Sequence, residues 1–214
     1  MSLMNFSIDA VITKLLMLPG IIMGLSFHEF AHAWVSDKLG DPTPRRQGRV
    51  TLNPLAHIDW IGFAALLLVG FGWGRPVQID PSYYKNRRRD EFLVGIAGIT
   101  MNLILAVLFS IPVRLMRNSF AAGGVSAMII ENLFLILLYA VMINLVLMVF
   151  NLIPCPPLDG WGLITQIFKL DRYPWWYEVY SRGTWILLLL ILFNVTDRIL
   201  TPIVSLFMNI LVYR

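Results

Sequence analysis

The amino-acid sequence predicts an all-α membrane protein that crosses the bilayer several times. Of its 214 residues, 57% are hydrophobic and only 14% are charged, whereas a soluble domain has about 25% charged residues. The mean hydropathy is +0.70, and the apolar residues form runs of membrane-spanning length, which is about 20 residues. These values exclude a disordered chain, a coiled coil and an ordinary soluble enzyme. They indicate a single transmembrane domain over residues 1–214.

Four to five spans are predicted, and the first is the apolar run from Leu15 to Val35. Before it, polar residues recur every four positions on an otherwise apolar stretch. Residues 8–18 are therefore either the outer half of a long helix kinked near Pro19 or a separate interfacial helix. Residues 61–73 are apolar but too short to span, so we predict a short re-entrant segment or a β-hairpin around residues 61–80.

The second half of the chain contains the remaining spans. Residues 92–113 and 129–153 are long apolar runs, and each is expected to cross the membrane. Residues 161–180 are rich in aromatic side chains, which is typical of a segment at the membrane interface. Residues 185–212 are apolar but interrupted by polar residues and a proline, so they form either one broken span or a tight helical hairpin.

Basic residues are distributed unevenly between the loops, and this distribution predicts the orientation. Residues 36–60 and 74–91 together contain nine Lys and Arg residues, whereas residues 114–124 contain two. Because positively charged loops remain on the cytoplasmic side, the two basic loops are expected there and the first helix runs inward. The expected location is the cell membrane. The net charge of +4 then reflects topology, and no nucleic-acid partner is expected.

Two of the three histidines lie in the pentapeptide His28-Glu29-Phe30-Ala31-His32. On a helix, His28 and His32 are one turn apart on the same face, so both imidazoles can bind one Zn²⁺ ion. Glu29 is placed to act as a general base on water at such a metal. Ionisable side chains are costly inside an apolar run, so function explains this pentapeptide better than the packing of interfacial histidines does.

A catalytic zinc site usually has three protein ligands, so a third residue must be found. Asp159 is the best candidate, because it follows a proline-rich segment that ends a helix on the same side of the membrane as the histidines. An unpaired aspartate at this depth would be costly, and binding a metal removes that cost. The alternative is that Asp159 only caps the helix that follows it.

With these residues, the chain resembles the site-2 protease family of intramembrane zinc metalloproteases. The resemblance extends from about Gly20 to Gly162. It rests on four segments, which are His28-Glu29-x-x-His32, Asn53-Pro-Leu-Ala-His57-Ile-Asp59, Gly98-x-x-x-Asn102 and Asn151-x-x-Pro154-x-Pro156-x-Leu158-Asp159-Gly160. The chain has no inserted PDZ or CBS domain, so it resembles a minimal member of the family.

The resemblance implies roles for individual residues. Glu29 is expected to be the catalytic acid and base. The expected ligands of one zinc ion per chain are His28, His32 and Asp159. The residues expected to contact the substrate or the oxyanion are Asn151, Asn102 and His57. For the segment around His57, an ordinary turn is an equally good explanation.

The expected activity is hydrolysis of a peptide bond within or next to a transmembrane segment of another membrane protein. The expected partners are that substrate helix and the lipid bilayer, with a homo-oligomer or a regulatory membrane protein left open. A metal-ion transporter is the main alternative, but it would need polar residues along a path and often two related halves. The intact Glu29 argues against a catalytically inactive membrane scaffold.

The predicted orientation can be tested by labelling introduced cysteines in a Cys155→Ser background. Arg45→Cys and Arg88→Cys should react with impermeant thiol reagents only from the cytoplasmic face, because both positions lie in the basic loops. Asn118→Cys should react only from the opposite face. Labelling of all three positions from one face would contradict this topology.

Overall fold

The computed structural model describes residues 8–69, 72–117 and 125–214, and these residues form helices and short turns without a β-strand. The helices are α1 (Ile8–Lys38), α2 (Thr43–Arg46), α3 (Trp60–Val69), α4 (Arg87–Met116), α5 (Val125–Leu152), α6 (Asp159–Phe168), α7 (Trp175–Leu192) and α8 (Val195–Met208). Within the described residues, four helices are long and apolar enough to cross a membrane, which are Ile8–Lys38, Arg87–Met116, Met128–Leu152 and Val195–Tyr213. The prediction of an all-α, multi-pass membrane protein is confirmed.

The first helix is continuous. α1 contains 31 residues and passes through Pro19 without ending, so the long-helix alternative for residues 8–18 is the correct one. At a rise of 1.5 Å per residue its length is about 46 Å, which exceeds the hydrocarbon thickness of about 30 Å. The helix therefore extends beyond the hydrocarbon region or tilts within it, and His28 and His32 lie on its C-terminal half.

Where the structure describes the segment of residues 61–80, it contains a short helix and no β-hairpin. α3 has 10 residues, and in the described part of this segment the β-pairing is one isolated antiparallel bridge between Ile58 and Gly74. Leucine and alanine, both strong helix formers, make up much of α3. Its length of about 15 Å is half of the hydrocarbon thickness, so α3 is too short to cross the membrane.

Residues 185–212, predicted to be either one broken span or a tight helical hairpin, lie in two helices, of which Val195–Tyr213 is long and apolar enough to cross a membrane. α7 ends at Leu192 and α8 begins at Val195, and Asn194 between them has a left-handed backbone conformation with φ 55°. Asparagine adopts this conformation more readily than most residues. A π-helical turn over Asn209–Tyr213 continues α8.

The centre of the bundle is formed by α1, α4 and α5. Lipid is as apolar as the helix surfaces, so close packing and polar contacts must hold these helices together. α1 approaches α5 at Gly20, where an added Cβ atom would lie 2.7 Å from Ala140 Cα. A fully buried cluster around Val141 and Leu145 fills the interior.

A buried carboxylate ties the end of α1 to the extended segment before α4. Asp41 is fully buried and accepts hydrogen bonds from Ser36 Oγ at 2.9 Å, Thr43 N at 2.8 Å and Asp80 N at 2.8 Å. Burial would raise the pKa of the Asp41 carboxyl, but these hydrogen bonds outweigh it and lower that pKa. Tyr84 adds a contact of 2.7 Å to the Ser36 hydroxyl. This segment is thereby held beside the C-terminal half of α1.

Candidate metal centre

Three potential ligand atoms meet where α1 and α6 come together. His28 Nε2 and His32 Nε2 are 3.0 Å apart on α1. Asp159 is the first residue of α6, and its Oδ2 atom lies 3.2 Å from His28 Nε2 and 3.3 Å from His32 Nε2. The three residues predicted as zinc ligands are thus brought together, although 127 positions separate the last histidine from the aspartate.

Hydrogen bonds at the far side of each imidazole determine where its proton lies. His28 Nδ1 is 2.7 Å from Asn102 Oδ1, and His32 Nδ1 is 2.7 Å from the carbonyl oxygen of Val94. A carbonyl oxygen can only accept a hydrogen bond, so each Nδ1 atom must be the donor. A neutral imidazole has one proton, and each Nε2 atom therefore presents a lone pair toward Asp159.

This arrangement fits a zinc ion. Two imidazole lone pairs and a carboxylate oxygen converge with no donor between them, and Asp159 Oδ2 is buried without a hydrogen bond in the described part of the chain. A cation relieves the repulsion of these three acceptors. Ligands of a tetrahedral zinc site with bonds of about 2.0–2.1 Å are about 3.3 Å apart, close to the three distances in this cluster. The His-His-Asp group is the kind of donor set that zinc prefers.

Asn102 lies behind His28 and does not line the cavity described below. Its side chain is fully buried, and its Nδ2 atom donates to the Gly24 carbonyl at 3.1 Å and to Asn144 Oδ1 at 3.0 Å. These two bonds fix the amide so that Oδ1 faces the imidazole of His28. Asn102, expected to contact the substrate, is thus placed by the structure where a buried amide orients His28.

The close approach of α4 to the two imidazoles depends on Gly98. A Cβ atom at this position would lie 2.4 Å from His32 Nε2 and 2.5 Å from His28 Cε1. Both distances are far below van der Waals contact, so only glycine lets α4 approach α1 this closely.

A cavity of about 480 Å³ opens at the metal site. The predicted site residues that line it are His28, Glu29, His32, Asn151 and Asp159. Its other walls come from α6, from the start of α7 and from the extended segment before α4. The three potential ligand residues and Glu29 are therefore accessible from one cavity.

Glu29 is fixed at the edge of this cavity. Its Oε2 atom accepts a hydrogen bond of 2.9 Å from the backbone N–H of Val77, and Val77 also lines the cavity. The bond leaves Oε1 available for another partner. Asn151, near the end of α5, also lines the cavity, and its Nδ2 atom donates to the Leu147 carbonyl at 3.0 Å.

His57, also expected to contact the substrate, does not line this cavity. The side chain is fully buried, and its Nε2 atom is 2.8 Å from the Thr51 carbonyl oxygen. Burial lowers the pKa of His57, which favours the neutral ring. Its backbone carbonyl accepts a bond of 2.8 Å from Arg75 N. His57 thus belongs to the turn that supports the extended segment, as the alternative explanation stated.

Sequence reasoning missed the backbone groups of Val77 and Val94. A main-chain N–H or carbonyl exists at almost every position, so no residue type marks those that hold Glu29 and His32. It also missed Trp176, whose indole lines the cavity. The aromatic cluster at the start of α7 was visible, but the sequence could not distinguish a cavity wall from a membrane-interface belt.

Comparison with known proteins identifies the family. The protein YwhC of Bacillus subtilis, named as a candidate zinc metalloprotease, is 40% identical over 149 residues, which are 69% of this chain and 66% of YwhC. The chain belongs to the site-2 protease family of zinc metalloproteases. Membership of this family supports the predicted protease over the transporter alternative.

Two proteins called Rip2, also named as candidate zinc metalloproteases, are more distant relatives. The Rip2 of Mycolicibacterium smegmatis is 29% identical over 156 residues, and that of Mycobacterium tuberculosis is 28% identical over 158 residues. These matches cover 70% of this chain and 56% of each relative. The chain thus spans only about half to two thirds of its curated relatives, at 56% and 66%. No family model matches the sequence. No solved structure matches the sequence.

The packing at Gly98 predicts that Gly98→Ala weakens zinc binding. The added methyl group would displace one or both imidazoles, and second-shell perturbations of this kind reduce metal affinity about 10–100-fold. The measurement is zinc affinity by chelator competition. Gly95→Ala is the matched control, because its Cβ atom would meet only the Leu163 side chain, at 3.2 Å. Equal zinc affinities for the two variants would contradict the role of Gly98.

Proposed function

We propose that this chain hydrolyses a peptide bond within or next to a transmembrane segment of another membrane protein. The observation that carries the proposal is the convergence of three ligand atoms beside Glu29 in an open cavity. One zinc ion per chain would be held by His28, His32 and Asp159. The proposal treats residues 1–214 as one catalytic domain.

Each residue of the cluster has a separate task in this reaction. A zinc ion at this position supplies Lewis-acid activation of water and polarises the peptide carbonyl. His28 and His32 keep their protons on Nδ1, because Asn102 and the Val94 carbonyl accept them there. Asp159 supplies the negative charge that offsets part of the charge of the cation.

Glu29 carries the proton through the reaction. Its Oε2 atom is held by Val77 N–H, so Oε1 is the atom that takes the proton from the attacking water. The same atom then returns the proton to the nitrogen of the leaving amine, which cannot depart as an anion. Asn151 lines the cavity and can donate to the oxygen on which negative charge develops.

A helical substrate must unwind before it can be cut, because its carbonyl groups are engaged in backbone hydrogen bonds. The extended segment before α4 supports this step. Arg75 and Val77 use their backbone N–H groups to bond to His57 O and Glu29. The N–H group of Ile79 forms no hydrogen bond within the described part of the chain, and Ile79 lines the cavity. Ile79 is two residues after Val77, so in an extended segment the two N–H groups face the same side, and an unwound substrate can pair with Ile79 there.

The active site is proposed to open toward the cytoplasm. The mouth of the cavity includes the ion pair between Arg87 Nε and Glu91 Oε1, which are 2.6 Å apart. Both residues lie in the first turns of α4, at the end of the basic segment of residues 74–91. The distribution of Lys and Arg predicts that this loop is cytoplasmic. Water would then reach the metal centre through this polar mouth.

Replacement of the proposed acid and base should separate metal binding from catalysis. Glu29→Gln should keep zinc and reduce cleavage about 100–10,000-fold, because an amide cannot accept or return the proton. Zinc per chain is measured by mass spectrometry, and cleavage by the products formed from synthetic apolar peptides in detergent. Glu131→Gln is the control, because Glu131 is exposed on α5 and lies outside the cavity lining. Undiminished cleavage by Glu29→Gln would refute its role.

The role of Asp159 can be separated from helix capping by one substitution. α6 has Leu158 at its N-cap and no side-chain capping hydrogen bond. No hydrogen bond to this helix end therefore supports a capping role for Asp159. Asp159→Asn should lower zinc affinity more than about 100-fold, since a neutral amide oxygen is a poor zinc ligand. As a control, Asp171→Asn changes an exposed carboxylate that pairs with Arg88. Full zinc content and full activity in Asp159→Asn would mean that the third ligand lies elsewhere.

A further inference from the structure

Gly162 occupies a helical position where neither the backbone nor the packing requires glycine. In the described residues, the glycines with a left-handed conformation are Gly40 and Gly48, so Gly162 has a backbone that other residues can adopt. A Cβ atom added to Gly162 would meet no atom within 4 Å. Glycine inside a helix is less stable than alanine. The missing side chain at this position therefore leaves open space without a structural benefit.

This open space belongs to the candidate active site. Gly162 lines the cavity and follows Asp159 by three residues on α6, so the two positions are neighbours on one helix face. Gln166, four residues further on, also lines the cavity and donates through Nε2 to Glu91 Oε2. One face of α6 thus presents, in order, the proposed metal ligand Asp159, the open space at Gly162, called the gap below, and the polar side chain of Gln166.

Aromatic side chains form a wall beside the gap. The wall consists of Trp161, Trp176 and Tyr180, and all three line the cavity. The rings of Trp176 and Tyr180 are stacked, with centroids 5.2 Å apart and an angle of 11° between their planes. Trp176 Nε1 donates to Thr165 Oγ1 at 3.0 Å, which links the wall on α7 to α6.

The position of this wall relative to the metal centre is set by close packing. A Cβ atom at Gly183 would lie 2.2 Å from Pro156 Cβ, so α7 lies directly against the segment that leads to Asp159. Stacking, the indole hydrogen bond and this contact hold the aromatic rings in place. A side chain that enters the gap therefore meets a preformed apolar surface and needs little rearrangement of the protein.

We propose that Gly162 and the aromatic wall form a subsite for a large apolar side chain of the substrate, next to the peptide bond that is cut. The inference rests on the proposed function and adds the class of residue that the site selects. Apolar surface buried against Trp176 and Tyr180 favours binding, whereas a small side chain leaves the gap unfilled. A side chain introduced at position 162 would occupy the same space and exclude the large residue.

Cleavage specificity provides the first test. Detergent-solubilised enzyme is incubated with a library of synthetic apolar peptides randomised around a central position, and the cut sites are identified by mass spectrometry. The wild-type protein should prefer Phe, Leu or Met over Ala or Gly next to the cut. Gly162→Leu should lower the ratio of large to small residues by about tenfold or more, the scale on which a hydrophobic pocket discriminates side chains. Gly162→Ala should lower this ratio less.

A matched control separates the gap from general effects of added bulk. Ser181→Leu places the same side chain on the exposed surface of α7, outside the cavity lining, and should keep the wild-type ratio. Zinc content, measured for every variant, identifies proteins that have lost the metal centre. If Gly162→Leu retains its zinc and still has the wild-type ratio of large to small residues next to the cut, the proposal is overturned.

Binding without cleavage provides a second test that does not depend on catalysis. The variant carries Gly162→Cys with Glu29→Gln in a Cys155→Ser background, and the rate of thiol alkylation is measured with a Phe-containing peptide or its Ala counterpart. Protection by the Phe peptide alone supports the subsite, and equal protection by both peptides overturns it. If the wild-type protein cuts no peptide, the proposed function fails, and the protection result still decides whether the subsite exists.

Discussion

The placement of two protons determines what the centre of this molecule can do. Asn102 Oδ1 and the Val94 carbonyl accept from the Nδ1 atoms of His28 and His32, so both Nε2 lone pairs point toward the Asp159 carboxylate. In a medium that screens charge poorly, three acceptors without a donor are unfavourable together. The surrounding structure serves to keep this arrangement, because Asn144 holds the amide of Asn102 and the absence of a side chain at Gly98 leaves room for the rings.

The same contacts also hold the helices together. A chain of hydrogen bonds runs from His28 on α1 through Asn102 on α4 to Asn144 on α5. Burial of apolar surface gives little net driving force between helices in lipid, so buried amides and small residues carry a larger part of the association. The three central helices therefore cannot separate without breaking the bonds that orient the metal ligands, and bundle stability and metal binding depend on one network.

Local patterns in the sequence were sufficient for the spans and for part of the site. The i, i+4 spacing of His28 and His32 places both imidazoles on one face of a helix. The proline-rich segment indicated that Asp159 follows the end of a helix. The Gly98-x-x-x-Asn102 pattern marks the face of α4 that meets α1, but it does not show which group Asn102 contacts, which is why Asn102 was expected at the substrate and lies instead behind a ligand. The short apolar run around α3 fits a helix or a strand equally well by periodicity, so only the folded chain distinguishes them.

Two carboxylates of the N-terminal part hold the same extended segment at points three residues apart. Glu29 accepts from Val77 N and Asp41 accepts from Asp80 N, so this stretch cannot slide along α1 without breaking both bonds. Strand pairing has a period of two residues, and a shift of one residue exchanges the two faces. A chain that pairs with Ile79 would therefore take its register from Glu29, the residue proposed to carry the proton. The peptide bond to be cut would then be set by its distance along the backbone from the paired residue. The substrate side chains would only refine that choice.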